Sequence, residues 1–279
     1  MRELRGKAAF VTGGASGIGL ALGRAFAASG MKVMLADIEA AALEAAVRGL
    51  AAAGAQVKGV VCDVSERAAV DRAAAETIAA FGKVHVVCNN AGVGGGGGPV
   101  EQIPPSDWDW TIGVNLLGVI HGIAAFLPHI KTHGEGGHIV NTASMAGMVS
   151  PPLMAPYNVT KFAVVTLSET LAAELADSTI GVSVLCPGWV DTRIVESARN
   201  RPARFGPPRE PSALARERAQ QVAALLRSGM SPDEVAERVL RAIRDNDLHI
   251  FTHPEMRGAL EDRFRRILAA YDKTAAFKR

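Results

Sequence analysis

The stretch "TGGASGIG", Thr12 to Gly19, ends the first predicted strand, "KAAFVTG", and opens a predicted helix near Ile18. A strand, a glycine-rich turn and a helix in this order place a helix N-terminus where it attracts negative charge. Gly13 would permit the tight turn, Gly17 would let the backbone approach a pyrophosphate, and Gly19 would allow close packing of helix on strand. The stretch therefore predicts a phosphate-binding loop.

An acidic residue follows at the distance that such a loop requires. Asp37 ends the second strand-like run, "KVMLAD", roughly 20 residues beyond the glycines, where a carboxylate can accept hydrogen bonds from an adenosine ribose. A glycine pattern alone is a weak signal, and an ordinary glycine-rich turn is the alternative. In this context the pattern predicts a dinucleotide cofactor.

Short β-type runs alternate with longer helical ones along the chain. The runs "QVKGVVCDV", "VHVVCNNAG", "HIVNTAS" and "GVSVLCPG" are nearly continuous in apolar residues, which is typical of strands buried on both faces. Helical patterns separate them, including one expected from about Ser106 to Lys131. The alternation predicts an α/β fold with a parallel sheet covered by helices on both sides. Because we find no internal repeat and no break in composition before residue 190, we expect residues 1–279 to form one domain.

Two regions depart from this alternation, at about 191–227 and at about 254–272. Prolines interrupt a charged stretch in the first region, which we interpret as an inserted substrate loop. The second, within "PEMRGALEDRFRRILAAYDK", predicts an amphipathic helical tail that packs on its own chain or contacts another subunit. Between them, a helix is expected after "SPDE", where Ser231 can cap and Pro232 can occupy the first turn.

The composition excludes several classes of protein. With 48% hydrophobic and 21% charged residues, the chain is typical of globular proteins and not of disordered ones. A formal net charge of +2 gives no strong attraction to nucleic acid. We interpret the arginine-rich stretch from Arg199 to Arg227 as solvated surface.

The cysteines and the N-terminus bear on the cellular compartment. Cys62, Cys88 and Cys186 are widely spaced and suit reduced, buried thiols better than disulfides or zinc ligands. The N-terminus shows no signal-peptide core, and no apolar run approaches the ~18 residues of a membrane span. We therefore expect a cytoplasmic protein without membrane association. We interpret His129 and His133 as solvent-facing histidines at a helix end, so no metal is expected.

The stretch "YNVTK" places Tyr157 one helical turn before Lys161, so that both reach one face of a helix. A lysine stem packed along a ring is the alternative for an isolated pair. The spacing can bring a proton donor and a fixed positive charge to one spot, and a nearby ammonium favours the phenolate of a tyrosine. Alone, the pair does not predict a reaction.

The chain resembles the short-chain dehydrogenase/reductase family over the stretch from Thr12 to Thr192. The resemblance rests on the order and spacing of "TGGASGIG", "NNAG" (Asn89 to Gly92), Asn115, Ser144, "YNVTK" and "PGWVDT" (Pro187 to Thr192). It implies a single doubly wound Rossmann-type domain with a mostly parallel seven-stranded sheet and helices on both faces. It also implies an oxidoreductase that transfers a hydride between NAD(H) and a secondary alcohol or ketone.

The resemblance assigns a role to each residue of the predicted site. Tyr157 would be the acid and base, and Lys161 would also grip the nicotinamide ribose. Ser144 would hydrogen-bond the substrate oxygen, and Asn115 would hold a water that links Lys161 to solvent. Taken separately, Ser144 could be a turn residue and Asn115 a packing group. The expected cofactor contacts are Gly13, Ser16, Gly17, Ile18, Gly19, Asp37, Asp63, Val64, Asn90, Tyr157, Lys161, Val190 and Thr192.

The resemblance also bears on the cofactor and on assembly. We expect NAD and not NADP, because Asp37 would repel a 2′-phosphate and no basic residue stands at Ser16 or Ile38. In this family the helices near 106–131 and 157–176 pair with their symmetry mates, so a homotetramer is expected, with a dimer as the alternative. The apolar residues that the second helix offers for this pairing are Phe162, Val165, Leu167 and Leu171.

Two other functions stay open at this point. A carrier-bound 3-oxoacyl reductase of the same family normally prefers the phosphorylated cofactor, which Asp37 disfavours. A non-catalytic NAD-binding protein would not need Tyr157 and Lys161.

The identity of the substrate is indicated only by a weaker likeness. The stretches "DWDWTIGVNLLGVIHG", "RPARFG" and "HPEMRGALEDRF" resemble bacterial dehydrogenases that oxidise the benzylic alcohol of lignin-derived aryl ethers. We therefore expect an aromatic or alicyclic alcohol as a small-molecule substrate. The run "GGGGG", Gly94 to Gly98, we interpret as a flexible loop in preference to a space for a bulky substrate.

Overall fold

The computed structural model describes residues 1–207 and 213–276. Its strands are β1 (Ala8–Thr12), β2 (Lys32–Asp37), β3 (Val57–Val61), β4 (Val86–Asn89), β5 (Gly137–Thr142), β6 (Ile180–Cys186) and β7 (His249–Phe251). They form one seven-stranded sheet in the order β3-β2-β1-β4-β5-β6-β7, and each neighbouring pair is parallel. The doubly wound α/β fold predicted from the sequence is confirmed.

Helices connect the strands and cover both faces of the sheet. Among the described residues they are α1 (Gly17–Ala28), α2 (Ala40–Ala52), α3 (Arg67–Phe81), α4 (Pro105–Ile112), α5 (Gly118–His133), α6 (Ala155–Glu174), α7 (Ala213–Arg227), α8 (Pro232–Asp245) and α9 (Arg257–Ala276). Ser231 caps α8 as predicted, because its hydroxyl accepts from the Glu234 N–H at 3.2 Å and Glu234 reaches back to the Ser231 N–H. Pro232 occupies the first turn.

The core lies in two layers, one on each side of the sheet. Helices α1, α2 and α8 pack on the side to which Val11 and Leu35 point, whereas α3, α5 and α6 pack on the side of Phe10. The rings of Phe10 and Phe126 lie 4.5 Å apart between their centroids. Since the side chains of a strand alternate, each central strand contributes apolar residues to both layers. This explains why the predicted strands read as continuous apolar runs.

One long helical stretch is more apolar than the sequence analysis allowed. Helices α4 and α5 join through a π-helical turn, Gly113–Leu117, so that helix runs from Pro105 to His133. By length and composition this stretch could cross a membrane, since an 18-residue window has a mean hydropathy of 1.7. The expectation that no apolar run approaches this length is therefore wrong. Half of that window is buried inside the protein, as in a core helix.

A chain of buried polar side chains crosses the centre of the sheet. Asn89 on β4 donates to Oδ1 of Asn141 on β5 at 2.8 Å, and Asn141 donates to Oγ of Ser168 on α6 at 3.0 Å. The remaining oxygen of Asn89 is buried against α5 at Gly122, where a β-carbon would overlap it. The absence of a side chain at Gly122 is what lets α5 approach β4 this closely.

We expect Gly122→Ala to lower the free energy of unfolding by about 1–3 kcal/mol, because the added methyl group must displace Asn89 in a close-packed core. Gly49→Ala in α2 is the matched control, because nothing among the described residues lies within 4 Å of a β-carbon added there. Helix propensity predicts that the control stabilises the protein by roughly 0.5–1 kcal/mol. Urea unfolding followed by circular dichroism measures both variants, and equal effects would contradict the packing argument.

Candidate active site

The glycine-rich loop between β1 and α1 is tightly folded. Gly13 and Gly17 have positive φ angles of 65° and 52°, which favour glycine. A β-carbon at Gly19 would overlap the carbonyl oxygen of Gly13, and one at Gly17 would lie 3.1 Å from Cγ2 of Thr192. The loop therefore needs glycine at these three positions, and Thr192 lies beside it, whereas the contact of Thr192 with a phosphate stays a prediction.

The N-terminus of α1 is suited to an anion. Within the described residues, Ser16 makes no side-chain capping bond and the first turn of α1 carries no acidic residue. The backbone N–H groups there are consequently available for a phosphate group, and the helix dipole favours one. Half-buried Ile18 lies in the same turn. These features fit the pyrophosphate of a dinucleotide.

Asp37 is held at the end of β2 by two backbone groups. Its Oδ2 accepts from the N–H of Ala15 in the glycine loop at 3.0 Å, and its Oδ1 accepts from the N–H of Glu39 at 3.0 Å. The side chain therefore links the phosphate loop to the start of α2. Each carboxylate oxygen retains a second acceptor site, which suits the predicted ribose contact.

The turn after β4 is fastened to the turn after β1 through Thr12. Its hydroxyl accepts from the N–H groups of Asn90 and Ala91 at 2.9 and 3.0 Å, and its carbonyl accepts from Nδ2 of Asn90 at 3.0 Å. The sequence analysis predicted Asn90 but missed Thr12. Val190, four residues beyond β6, is buried and pairs with Met230 in an isolated bridge.

Tyr157, Ser144 and Lys161 converge at the carboxyl end of β5. Nζ of Lys161 donates to the carbonyl oxygen of Thr142 at 2.9 Å and lies 5.5 Å from the centre of the Tyr157 ring. The Ser144 hydroxyl lies beside Tyr157, accepts from the N–H of Ala146 at 3.0 Å and donates to the Pro187 carbonyl at 3.5 Å. Ser144 is therefore a turn residue, as one alternative from the sequence had it, whereas its hydrogen bond to a substrate oxygen stays a prediction.

Burial controls the pKa values of both titratable groups. It raises the pKa of Tyr157, and the hydrogen bond from Ser144 opposes this rise only in part. Burial lowers the pKa of Lys161 to about 8, so the ammonium stays charged near neutral pH. The expected preference for the phenolate is therefore not present in the protein alone, because desolvation outweighs the hydrogen bond from Ser144. The positive charge of an oxidised nicotinamide would act in the opposite direction.

Asn115 sits in the π-helical turn and is fully buried. Its Oδ1 accepts from the N–H of Val93 at 2.8 Å, and its Nδ2 donates to the carbonyl of Val93 at 2.9 Å. A β-carbon at Gly92 would lie 3.4 Å from Oδ1 of Asn115 and 3.5 Å from Nζ of Lys161. The side chains of Asn115 and Lys161 therefore both lie beside Gly92, which is compatible with the predicted water between them.

The 193–206 segment carries arginines that bind carboxylates at the ends of neighbouring elements. Nη2 of Arg199 donates to Oε1 of Glu39 at 2.6 Å, and Nη2 of Arg204 donates to Oδ2 of Asp63 at 2.8 Å. Burial alone would raise the pKa of Asp63, but hydrogen bonds from Ser65 and Arg204 bring it below its usual value. Beside Asp63, Val64 is buried at the predicted adenine position.

Arg201 is the most deeply placed of these arginines. Its guanidinium pairs with Asp107 of α4 at 2.5 Å, lies 5.1 Å above the Trp110 ring, and has 3% of its side chain exposed. The interpretation of this stretch as solvated surface is therefore wrong for Arg201, because a charged partner 94 residues away offsets its burial. Among the arginines that follow Pro207 in this stretch, Arg209 lies in 208–212, outside the described residues.

The pentaglycine run lies against the same anchor. A β-carbon at Gly95 would lie 2.5 Å from Oγ1 of Thr111, and one at Gly96 would overlap the carboxylate of Asp107. Gly94 donates its N–H to Oγ of Ser197 at 3.0 Å. The expectation of a merely flexible loop is wrong at Gly95 and Gly96, because Thr111 and Asp107 pack so closely there that no side chain would fit.

The histidines at the opposite end of the sheet bind the main chain. The N–H of Val84 donates to Nε2 of His129 at 3.3 Å, and Nε2 of His133 bonds the carbonyl of Val84 at 2.9 Å. Both rings are half-buried, so the expectation of solvent-facing side chains is wrong. Among the described residues, no group of three or more His, Cys, Asp or Glu could hold a metal ion.

Comparison with known proteins identifies the family. The family model for short chain dehydrogenases matches residues 7–203. The C alpha-dehydrogenase of Sphingobium sp. SYK-6 is 36% identical, with 96% of this chain and 87% of that protein covered. The 1-deoxy-11-beta-hydroxypentalenate dehydrogenase of Streptomyces avermitilis is 35% identical, with coverages of 94% and 90%.

A solved structure shares both the fold and the sequence. A short chain dehydrogenase/reductase from Burkholderia phymatum, crystallised in complex with NAD, superposes with a TM-score of 0.94 at 41% identity, with 97% of each chain covered. The resemblance inferred from the sequence is thus confirmed. The chain belongs to the short-chain dehydrogenase family and is an oxidoreductase that acts on alcohols or ketones.

Proposed function

We propose that this enzyme is an NAD-dependent dehydrogenase of secondary alcohols that carry an aromatic or alicyclic group. The observation that carries the proposal is the convergence of Tyr157, Ser144 and a buried, charged Lys161 at the carboxyl end of β5. When bound, the nicotinamide would accept or supply the hydride. The aromatic class is supported by the likeness to the C alpha-dehydrogenase.

The side chains divide the remaining work. The Tyr157 oxygen would take the proton from the alcohol or return it to the ketone oxygen. The Ser144 hydroxyl would hydrogen-bond that same substrate oxygen and stabilise its developing charge. Lys161 would hold the nicotinamide ribose and keep a positive charge near the phenol, while its bond to Thr142 fixes its position. Asn115 would hold the water that connects Lys161 to solvent.

The proposed cofactor contacts extend from the phosphate loop to the end of β3. Asp37 would receive the adenosine ribose, and Asp63 and Val64 would lie beside the adenine. NAD is supported by the complex of the Burkholderia relative. The loop contacts proposed are those at Gly13, Ser16, Gly17, Ile18 and Gly19, with Asn90, Val190 and Thr192 across the cleft.

A panel of alcohols tests the activity. We expect 1-arylethanols and alicyclic secondary alcohols to reduce NAD, followed by NADH absorbance, and acetoacetyl thioesters to be poor substrates in the reverse direction. Tyr157→Phe should lower kcat by at least about 10²-fold with little change in NADH affinity, because only the proton-transferring oxygen is lost.

The chain provides its own control for that substitution. Tyr271 is 71% exposed on α9, so Tyr271→Phe should leave kcat unchanged. Retention of most activity in Tyr157→Phe would refute the assignment of the proton donor. A faster rate with acetoacetyl thioesters than with any aryl alcohol would favour the 3-oxoacyl reductase. No turnover with either class, despite NADH binding, would favour a non-catalytic dinucleotide-binding protein.

The choice of cofactor tests Asp37. We expect kcat/KM for NAD to exceed that for NADP by at least about tenfold, because a 2′-phosphate would face a carboxylate. Asp37→Ala should weaken NAD use and narrow this ratio. Asp71→Ala, which removes a carboxylate from the exposed face of α3, should leave the ratio unchanged. Since Asp37 also holds two backbone N–H groups, a fall in Tm with an unchanged ratio would show a purely structural role.

We also propose a homotetramer, with a dimer as the alternative. Val165 and Leu171 are buried in their own chain, so they cannot form the contact expected from the sequence. Other apolar residues are exposed on the helical stretch from Pro105 to His133, on α6 and on α9. They are Leu117, Ile120, Val159, Phe264, Ile267, Leu268 and Tyr271.

Light scattering at micromolar concentration tests the assembly. A tetrameric mass is expected for the wild-type protein. Leu268→Glu should lower the mass if the exposed apolar residues of α9 form a subunit interface. Lys273→Glu on the same helix is the control and should leave the mass unchanged. A monomeric mass for the wild-type protein would exclude both assemblies.

The domain organisation and the compartment complete the proposal. We propose one domain over residues 1–279, with 191–227 as a substrate loop and 254–272 as a helical tail, which a single unfolding transition in calorimetry would support. Three free, buried cysteines support a cytoplasmic location, where thiols stay reduced. Recovery of the enzyme from an oxidising compartment in cell fractionation would contradict that location.

A further inference from the structure

Glu39 lies at the edge of the cleft where the adenosine ribose is proposed to bind. It follows Asp37 by two residues, and its own N–H is hydrogen-bonded to Oδ1 of that carboxylate at 3.0 Å. It is also the residue that precedes the first turn of α2. Two carboxylates therefore stand side by side at the end of β2, of which only Asp37 points back to the glycine loop.

The Glu39 carboxylate is occupied by the 193–206 segment. Its Oε1 accepts from Nη2 of Arg199 at 2.6 Å and from Nδ2 of Asn200 at 2.7 Å. The Arg199 hydrogen bond, opposed in part by burial, holds the pKa of Glu39 below its usual value, and the charge of Arg193 acts in the same direction. Arg193 itself pairs with Glu196 at 2.8 Å.

The two arginines are therefore neutralised by carboxylates. Arg193 pairs with Glu196 and Arg199 pairs with Glu39, so that Asp37 beside them leaves one negative charge in excess. A 2′-phosphate on the ribose would bring close to two further negative charges into this group. Arginine is the usual receptor for phosphate, because its planar donors match the phosphate oxygens. Arg193 and Arg199, the arginines beside Glu39 in the described part of the chain, are already paired with carboxylates.

We propose that Glu39 is a specificity-determining residue that enforces NAD use by neutralising Arg199. The inference rests on the proposed use of NAD and on the proposed ribose site at Asp37. Asp37 repels a 2′-phosphate, and Glu39 withholds the guanidinium that would attract one. Removal of the Glu39 charge converts Arg199 from the partner of a carboxylate into a phosphate receptor.

Glu39→Gln is the decisive variant, because its amide oxygen can still accept from Arg199 and Asn200 while the negative charge is lost. Isothermal titration calorimetry with adenosine 2′,5′-bisphosphate and adenosine 5′-monophosphate measures binding without turnover. We expect affinity for the bisphosphate to rise about tenfold, as removal of one charge near a doubly charged phosphate predicts, and affinity for the monophosphate to change less than about twofold. kcat/KM for NADP should rise in the same proportion.

A second substitution separates the arginine from a general loss of negative charge. Glu39→Gln combined with Arg199→Ala should lose the gain for the bisphosphate. Glu66→Gln is the matched control, because Glu66 also pairs with an arginine of the 193–206 segment, Arg204, at 3.0 Å, but at the start of α3. It should leave both affinities unchanged.

The outcomes distinguish this inference from the proposed function. Unchanged bisphosphate affinity in Glu39→Gln, a gain that survives Arg199→Ala, or an equal gain in Glu66→Gln would each overturn it. Asp37→Ala reports separately on the ribose site. If that variant leaves the ratio of the two affinities unchanged, the role of Asp37 fails, and the comparison of Glu39→Gln with the wild-type protein still decides the role of Glu39.

Discussion

The hydrogen bonds of Thr12 join the two halves of the sheet at the edge where the site lies. Strand order runs outward from β1 to β2 and β3 on one side and from β4 to β7 on the other, so the chain leaves β1 and β4 in opposite directions. Such a switch point opens a crevice at the carboxyl ends of the strands. Because Thr12 binds the backbone at Asn90 and Ala91, the crevice has a fixed floor. The phosphate loop begins directly after Thr12, and the stretch from Asn90 to Val93, which Asn115 binds, begins directly after β4.

Burial of charge is the second constraint on the site. Lys161 is 2% exposed, and its ammonium is held by the carbonyl of Thr142, at the end of a central strand. An ammonium in this position keeps its charge near neutral pH although desolvation lowers its pKa. The same desolvation keeps the Tyr157 hydroxyl protonated in the protein alone. In the protein alone the tyrosine is therefore a proton donor, and the proposed role as a base would require a further positive charge in the cleft.

The sequence predicted those parts of the site that depend on local spacing. The turn around Gly17 and the pair Tyr157 and Lys161 lie within one loop or one helical turn, where spacing alone fixes geometry. Contacts that depend on the path of the chain were not predictable in this way. Arg201 meets a carboxylate 94 residues away, and nothing in its neighbourhood distinguishes it from a solvated arginine.

The glycine run from Gly94 to Gly98 is a second case in which the sequence did not predict long-range packing. A string of glycines reads as flexible, because glycine lacks a side chain that would restrict the backbone. Here the missing side chains make room for Thr111 and Asp107, so that Gly95 and Gly96 are packed positions. The long helix from Pro105 to His133 was predicted as one element from about Ser106 to Lys131, but its π-helical turn at Gly113–Leu117 was not.

The buried pair of Arg201 and Asp107 has a consequence for chimeric enzymes. The pair ties the 193–206 segment to α4, and α4 in turn rests against the pentaglycine run. A loop transplanted from a relative without its arginine would leave an uncompensated carboxylate in the interior, at a cost of about 3–5 kcal/mol. The 193–206 segment, α4 and the pentaglycine run are therefore coupled by packing, and a chimera that exchanges all three together would keep the Arg201–Asp107 pair.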